Sequence, residues 1–184
     1  LSRYGKGSCA RKYDENKKRL SFIKKNNLKP DIRSKIEIYN DLKKQGKNPT
    51  FAFVPMLNHK YNLSNLNGIF PISGIANRLT IHCKEQLNYS IYKSDGFGFN
   101  NPDKVWDDNN IDILLIGDSF VHGSCVNEKD TISGKIRDIS NMNVINLGMA
   151  GNGPLIELAS LKEYGIKKNL KKFFGFIMKE MIYR

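Results

Sequence analysis

A chain of 184 residues, 40% hydrophobic and 26% charged, has room for one core-bearing domain plus an appendage, and its balance excludes a disordered chain. No apolar run approaches the roughly 20 residues of a membrane-spanning helix, and Leu1-Ser-Arg-Tyr-Gly-Lys lacks the apolar centre of a signal peptide. The formal net charge of +12 sits at the ends: residues 1–50 hold 15 Lys/Arg against 5 Asp/Glu, residues 51–160 hold 8 against 11, and residues 161–184 hold 7 against 2.

Residues 1–50 form a basic N-terminal segment, expected to be helical. Its charge reads first as a solvated, Lys-rich face. It also suits a membrane surface or another anionic partner. Nucleic acid is not an expected partner, because aromatic residues are not interleaved with the arginines and no recognition motif is present. Pro30-Asp31 opens a segment that places Ile32, Ile36 and Tyr39 on one helical face, with Leu42 at its edge, and Gly46 stands where the helix would stop.

Residues 51–110 read as an irregular or β lead-in, punctuated by Pro55, Gly68, Pro71 and Gly74. The alternation in Leu87-Asn-Tyr-Ser-Ile-Tyr92 predicts a strand, followed by the turn-rich Ser94-Asp-Gly-Phe-Gly-Phe-Asn-Asn-Pro102. Asn62-Leu-Ser64 and Asn88-Tyr-Ser90 fit the glycosylation pattern, as chance allows in an Asn-rich chain. Cys9, Cys83 and Cys125 show no metal-binding or redox spacing, so no metal and no organic cofactor are expected. Their odd number leaves room for one bridge, but Cys125 reads as a buried free thiol.

From residue 111 the pattern becomes α/β. Ile111–Ile116 is a continuous apolar strand of the kind a parallel sheet buries on both faces. Thr131–Ile139 sets Ile132, Ile136 and Ile139 on one helical face, and Asn143-Val-Ile-Asn146 is a second strand. Pro154 opens a helix at its tolerated first position, Leu155, Leu158, Ala159 and Leu161 supply the period, and Gly165 is placed to cap it. Strand, helix, strand, helix implies a right-handed βαβ unit in a parallel sheet.

Chemistry concentrates where that sheet ends. Ligands of open parallel sheets bind beyond the carboxyl ends of the strands. Two loops lie there: Gly117-Asp-Ser-Phe-Val-His-Gly123 and Asn146-Leu-Gly-Met-Ala-Gly-Asn-Gly-Pro154. A serine delivered by a buried strand onto a glycine turn is a candidate nucleophile for acyl transfer, which also needs a base and donors for the oxyanion. Ser119 takes the first role, and the N–H groups of Ser119 and Gly148 are the expected donors. Gly117 and Asp118 shape the turn. His122 stands three residues from Ser119 but reads as a loop residue packed beside the turn. Asn152 reads as part of the loop before the Pro154 helix.

Gly117-Asp118-Ser119-Phe120 together with Asn146-Leu147-Gly148 resembles the first two sequence blocks of the SGNH (GDSL-type) hydrolases, over residues 111–165. The lead-in Tyr92–Pro102 is similar to that of some bacterial, envelope-associated members. The resemblance implies a flavodoxin-like three-layer α/β/α fold and a serine esterase or O-acyl transferase acting on a small-molecule, carbohydrate or lipid ester. In that family a third block supplies an oxyanion asparagine and a last block a catalytic histidine. Neither has a match among His59, His82, His122 and the residues after 165. A non-catalytic envelope module working through its basic segment is the alternative.

The tail Lys171–Arg184 falls where a third strand and the third block belong. With suitable codons from Phe173 onward, the same bases read two positions later give Phe-Trp-Phe-Tyr-Tyr-Glu-Gly-Asn-Asp-Leu. Residues 111–184 are therefore expected to be the N-terminal part of an SGNH domain in a truncated or frameshifted product, its last dozen residues out of frame and its sheet edge exposed. A missing N-terminal signal or anchor would place the protein in the cell envelope or periplasm.

Overall fold

The computed structural model describes residues 17–18, 20–54, 70–84, 87–166 and 168–176. Cys9, His59 and Asn62 lie outside them. Among the described residues no helix is long and apolar enough to cross a membrane.

Residues 20–25 are helical, and α1 spans Lys35–Lys44. Its start is set by Ser34 and Glu37, which form a capping box: Ser34 Oγ accepts the Glu37 N–H, and a Glu37 carboxylate oxygen accepts the Ser34 N–H at 2.7 Å. This moves the helix start past Pro30 and corrects the expected face. Ile32 lies before the cap and is 92% exposed, Ile36 is half exposed, and Ile38 is the residue the helix buries. Tyr39 stacks on Phe51 with ring centroids 5.3 Å apart. Gly46, at φ +73°, follows the C-cap as expected.

A small sheet follows, made of β1 (Pro49–Phe51), β2 (Leu79–Ile81) and β3 (Ile91–Lys93). β1 pairs parallel with β2, and β2 antiparallel with β3. The strand expected over 87–92 is thus shorter and later, and two three-residue strands escaped the pattern. Beyond β3 the chain turns around the fully buried Asp95. Its Oδ1 accepts the Phe97 and Phe99 N–H groups, and its Oδ2 accepts from Asn101 Nδ2 and Trp106 Nε1, all within 2.9 Å.

The second part is α/β with an all-parallel sheet. β4 (Asn110–Gly117) lies in the centre, flanked by β5 (Val144–Asn146) and β6 (Asn169–Phe176). Counted from β4 the strand order is 2-1-3, the opening of the flavodoxin-type order. Register runs Ile113↔Val144 to Leu115↔Asn146 on one side and Asn110↔Asn169 to Gly117↔Phe176 on the other. Residues 169–176 therefore supply the third parallel strand. Residues 177–184 are outside the described set.

Helices cover both faces of the sheet. On one face Ile113, Leu115, Val121 and Val144 pack against Ile132 and Ile136 of α3 (Ile132–Ser140); the four-residue α2 (Ser119–His122) precedes it. On the other, Phe99, Leu114, Ile116, Ile145, Leu147 and Met149 pack against Leu161 and Tyr164. Those two residues continue α4 (Pro154–Ser160) through a π turn over Leu161–Gly165. α3 begins at Thr131, whose Oγ1 accepts the Gly134 N–H, but Ile139 is exposed rather than on its packed face.

α4 differs more. Leu155 and Leu158 are exposed, and the packed stripe is Glu157, Ser160, Leu161, Tyr164 and Gly165 at the helical i, i+3, i+4, i+7, i+8 spacing, with Leu161 and Tyr164 half-buried. Gly165 does not cap the helix. A Cβ there would lie 2.7 Å from Leu114 and 2.8 Å from Leu161, so glycine allows the last turn to close on β4.

Cys83 and Cys125 form a disulfide, which corrects the free-thiol reading of Cys125. It ties the end of β2 to the loop after α2, closing a loop of 42 residues in sequence separation. Constraining an unfolded loop of that size is worth about 4 kcal/mol in the chain-entropy account. The Cys83→Ser, Cys125→Ser double variant should therefore show a urea-derived stability about 2–4 kcal/mol below the parent. Thiol titration of the unreduced, denatured parent should find one thiol per chain, from Cys9. A count of three would exclude the bond.

Candidate functional site

The carboxyl end of β4 breaks into Gly117-Asp118-Ser119. Asp118 is the N-cap of α2: its Oδ1 accepts the Phe120 N–H at 3.1 Å, and its carbonyl accepts the His122 N–H. The helix stops after one turn at Gly123, φ +73°, where a Cβ would collide with Thr131 Cγ2. Ser119 is the first residue of this turn and is half-buried. It faces a cleft of about 300 Å3 lined also by Phe120, Gly123, Ser124, Val126 and Ile132. Phe120 is 60% exposed at its rim. As the first helical residue, Ser119 has a backbone N–H with no acceptor inside the helix.

The partner loop, residues 146–153, is held by its own amides. Leu147 N–H bonds Leu115 O, Met149 N–H bonds Gly117 O, and Ala150 N–H bonds His122 Nδ1. The Gly148 N–H bonds Asn146 Oδ1 at 2.8 Å, so the structure commits this expected oxyanion donor elsewhere. Gly148 is glycine for packing: a Cβ there would meet the His122 nitrogen and lie 2.7 Å from the Val121 carbonyl carbon. Three residues on, Gly151 occupies the third position of a turn closed by Asn152 N–H to Met149 O. Its φ of +80° is the value a type II turn requires there. Among the described residues its N–H has no acceptor, and the residue is half-buried at the same sheet edge as Ser119. The sequence alone points to Gly148, the first glycine after β5. The positive-φ turn signal in Ala150-Gly151-Asn152-Gly153 was the cue to the later one.

His122 does not serve Ser119. It is fully buried, and both ring nitrogens are occupied. Nδ1 accepts the Ala150 N–H at 3.0 Å, which puts the proton on Nε2, and Nε2 lies 2.9 Å from Tyr92 Oη, to which it donates. The ring stacks on His82 at 4.4 Å between centroids. Burial pushes the His122 pKa down to about 3, with the charge of His82 adding to it. Burial likewise holds His82 down at about 4, aided by the charge of Lys35. The sequence reading of His122 as packing beside the turn therefore agrees with its geometry.

Asn146 ties the two loops together, a part that its residue type alone does not reveal. It is fully buried, and all of its polar groups are used: Asn101 Oδ1 accepts its N–H, its carbonyl accepts from Asn101 Nδ2, and its Nδ2 donates to Val121 O at 2.6 Å and to Ser133 Oγ at 3.2 Å. Among the described residues no cluster of three His, Cys, Asp or Glu is arranged to hold a metal ion. No protein-family model, curated protein or solved structure matches the chain.

Two measurements follow from this geometry. Both imidazoles titrate near 6.5 when unfolded and only near 3–4 when folded, so below pH 6.5 the unfolded chain binds more protons. Stability should be full above pH 6.5 and fall as the pH drops toward 4, and His82→Phe should flatten that fall. An unchanged slope in the variant would place its origin elsewhere. Gly148→Ala should lower stability by about 1–3 kcal/mol through overpacking against α2, read from urea midpoints.

Proposed function

We propose that this chain carries the nucleophile of a serine ester hydrolase or O-acyl transferase of the SGNH type, acting on a carbohydrate or lipid ester. The observation that carries the reading is the placement of Ser119. It stands at the carboxyl end of the central parallel strand, on a one-turn helix, half-buried in a cleft and with its own N–H pointing out of the helix start. In the reaction Ser119 Oγ attacks the acyl carbon and gives its proton to a base. The alcohol departs with a proton, leaving an acyl-serine that water or a second alcohol resolves. The N–H groups of Ser119 and Gly151 are the donors best placed for the oxyanion. Asp118 acts by shaping the turn. The base is a group other than His82 and His122, whose rings are buried and stacked on each other. The Cys83–Cys125 bond suits an oxidising compartment such as the cell envelope.

The burial of both described imidazoles favours a second reading, a non-catalytic envelope module that binds anionic surfaces through the basic residues 1–50. A fluorophosphonate probe distinguishes the two. Tryptic mass spectrometry of the folded chain should find the adduct on Ser119, and Ser119→Ala should abolish it. A chain that is folded by circular dichroism and stays unlabelled, while binding anionic vesicles in a salt-dependent way, would establish the second reading instead.

A further inference from the structure

Two side chains at the start of α4 are buried without hydrogen-bond partners. Asn152 is 1% exposed with both Oδ1 and Nδ2 unpaired, and Glu157 is 5% exposed with Oε1 unpaired. Such atoms carry the full penalty of leaving water with nothing in return. Their relative placement follows from the cap. Gly153 is the N-cap, so Asn152 precedes it and Glu157 is the fourth helical residue. Apolar side chains at those two positions often pack together, as a staple that fixes the entry of the chain. Here both are polar. Asn152 ends the loop whose Met149 and Ala150 N–H groups bond Gly117 O and the His122 ring, on either side of Ser119, and Asp118, the N-cap of α2, is the charge that acts on Glu157. Burial and that charge hold the Glu157 carboxyl above its ordinary range. Both residues lie at the start of α4, which follows the carboxyl end of β5, the edge at which open α/β sheets take their ligands.

We propose that Asn152 and Glu157 form the hydroxyl-recognising subsite of the Ser119 site and take two neighbouring hydroxyls of a neutral, sugar-like substrate. The inference rests on the reading of Ser119 as nucleophile. The unpaired atoms supply one amide donor group and two acceptor oxygens. A vicinal diol complements them: each hydroxyl donates to one oxygen, and one of them accepts from Asn152 Nδ2. An anionic ligand would instead face two acceptors and the Asp118 carboxylate, and a cation would face the Asn152 amide hydrogens. A neutral diol leaves none of the three atoms unmatched.

The test uses the whole chain, with methyl glucoside at about 100 mM as the probe and the thermal midpoint as the readout. The probe should raise the parent's midpoint by about 3 °C. That shift should vanish in Asn152→Leu and Glu157→Leu, and Glu157→Gln, which keeps the side-chain shape, should bind the probe several-fold more weakly. Without the probe, the two leucine variants should melt no lower than the parent, since an apolar side chain replaces an unpaired polar one. A parent that does not respond, or variants that respond as the parent does, would overturn the inference. Fluorophosphonate labelling separates it from the reading on which it rests. Ser119 labelled with no glucoside response removes the subsite and keeps the nucleophile. A glucoside response lost in the variants, with Ser119 unlabelled, keeps the subsite and removes the esterase.

Discussion

The buried amide of Asn146 is the constraint on which the site's geometry depends. It sits at the carboxyl end of β5, and its bonds reach four separate pieces of chain: Asn101 in the lead-in, Val121 in α2, Ser133 in α3 and Gly148 in its own loop. Asn101 passes the connection on to Asp95 and to Arg137, whose Nη2 donates to Asn101 Oδ1 at 2.7 Å. A hydrogen-bonded group in low dielectric is held firmly because each broken bond leaves a buried orphan. The bonds to Asn101 are made by the backbone of residue 146, whereas Val121 O, Ser133 Oγ and the Gly148 N–H depend on the side-chain amide, which no apolar residue could replace. The two loops of the site therefore face each other through a polar network that the hydrophobic core alone would not specify.

The nucleophile's helix needs that help. A helix of four residues gains almost nothing from its own hydrogen bonds, since nucleation takes up its first turn. α2 is fixed from outside instead. Asn146 holds Val121 O, Asn100 Nδ2 holds His122 O, and Ala150 and Tyr92 hold the His122 ring. The small sheet takes part as well, through the His82–His122 stack and the Cys83–Cys125 bond. The lead-in is thus a buttress for the turn that carries Ser119, which accounts for its many polar residues.

Much of this was legible in the sequence. β4 was visible as an uninterrupted apolar run, because a strand buried on both faces needs no alternation. Thr131 and Pro154 marked the starts of α3 and α4 by chemistry that is local to a cap. What escaped depended on distant partners. β1 and β2 are three residues long, too short for a period to register. The disulfide joins cysteines that no spacing rule connects. α4 hid its packed stripe because Glu157 and Ser160 occupy two of its positions, while the exposed Leu155 and Leu158 supplied a false one. Gly148 and Gly151 differ in sequence only by the turn signal around the later one. The difference between them is which N–H finds an acceptor, and Asn146 decides that.

The polar groups under the sheet's carboxyl edge fall into two kinds. Asp95, Asn101 and Asn146 are buried, and each polar atom of Asn146 has its partner. Asn152 and Glu157 are buried to a similar depth and leave three atoms unmatched. Burial by itself therefore does not distinguish scaffold from site. The completeness of the bonding differs: the Asn146 network is closed and stabilises one conformation, Asn100 and His82 each leave one atom unpaired while buttressing α2, and Asn152 has neither of its side-chain polar atoms paired. Both kinds lie against the same strand ends, one toward β5 and the lead-in and the other toward α4. Ser119 stands on the turn that the first kind holds in place.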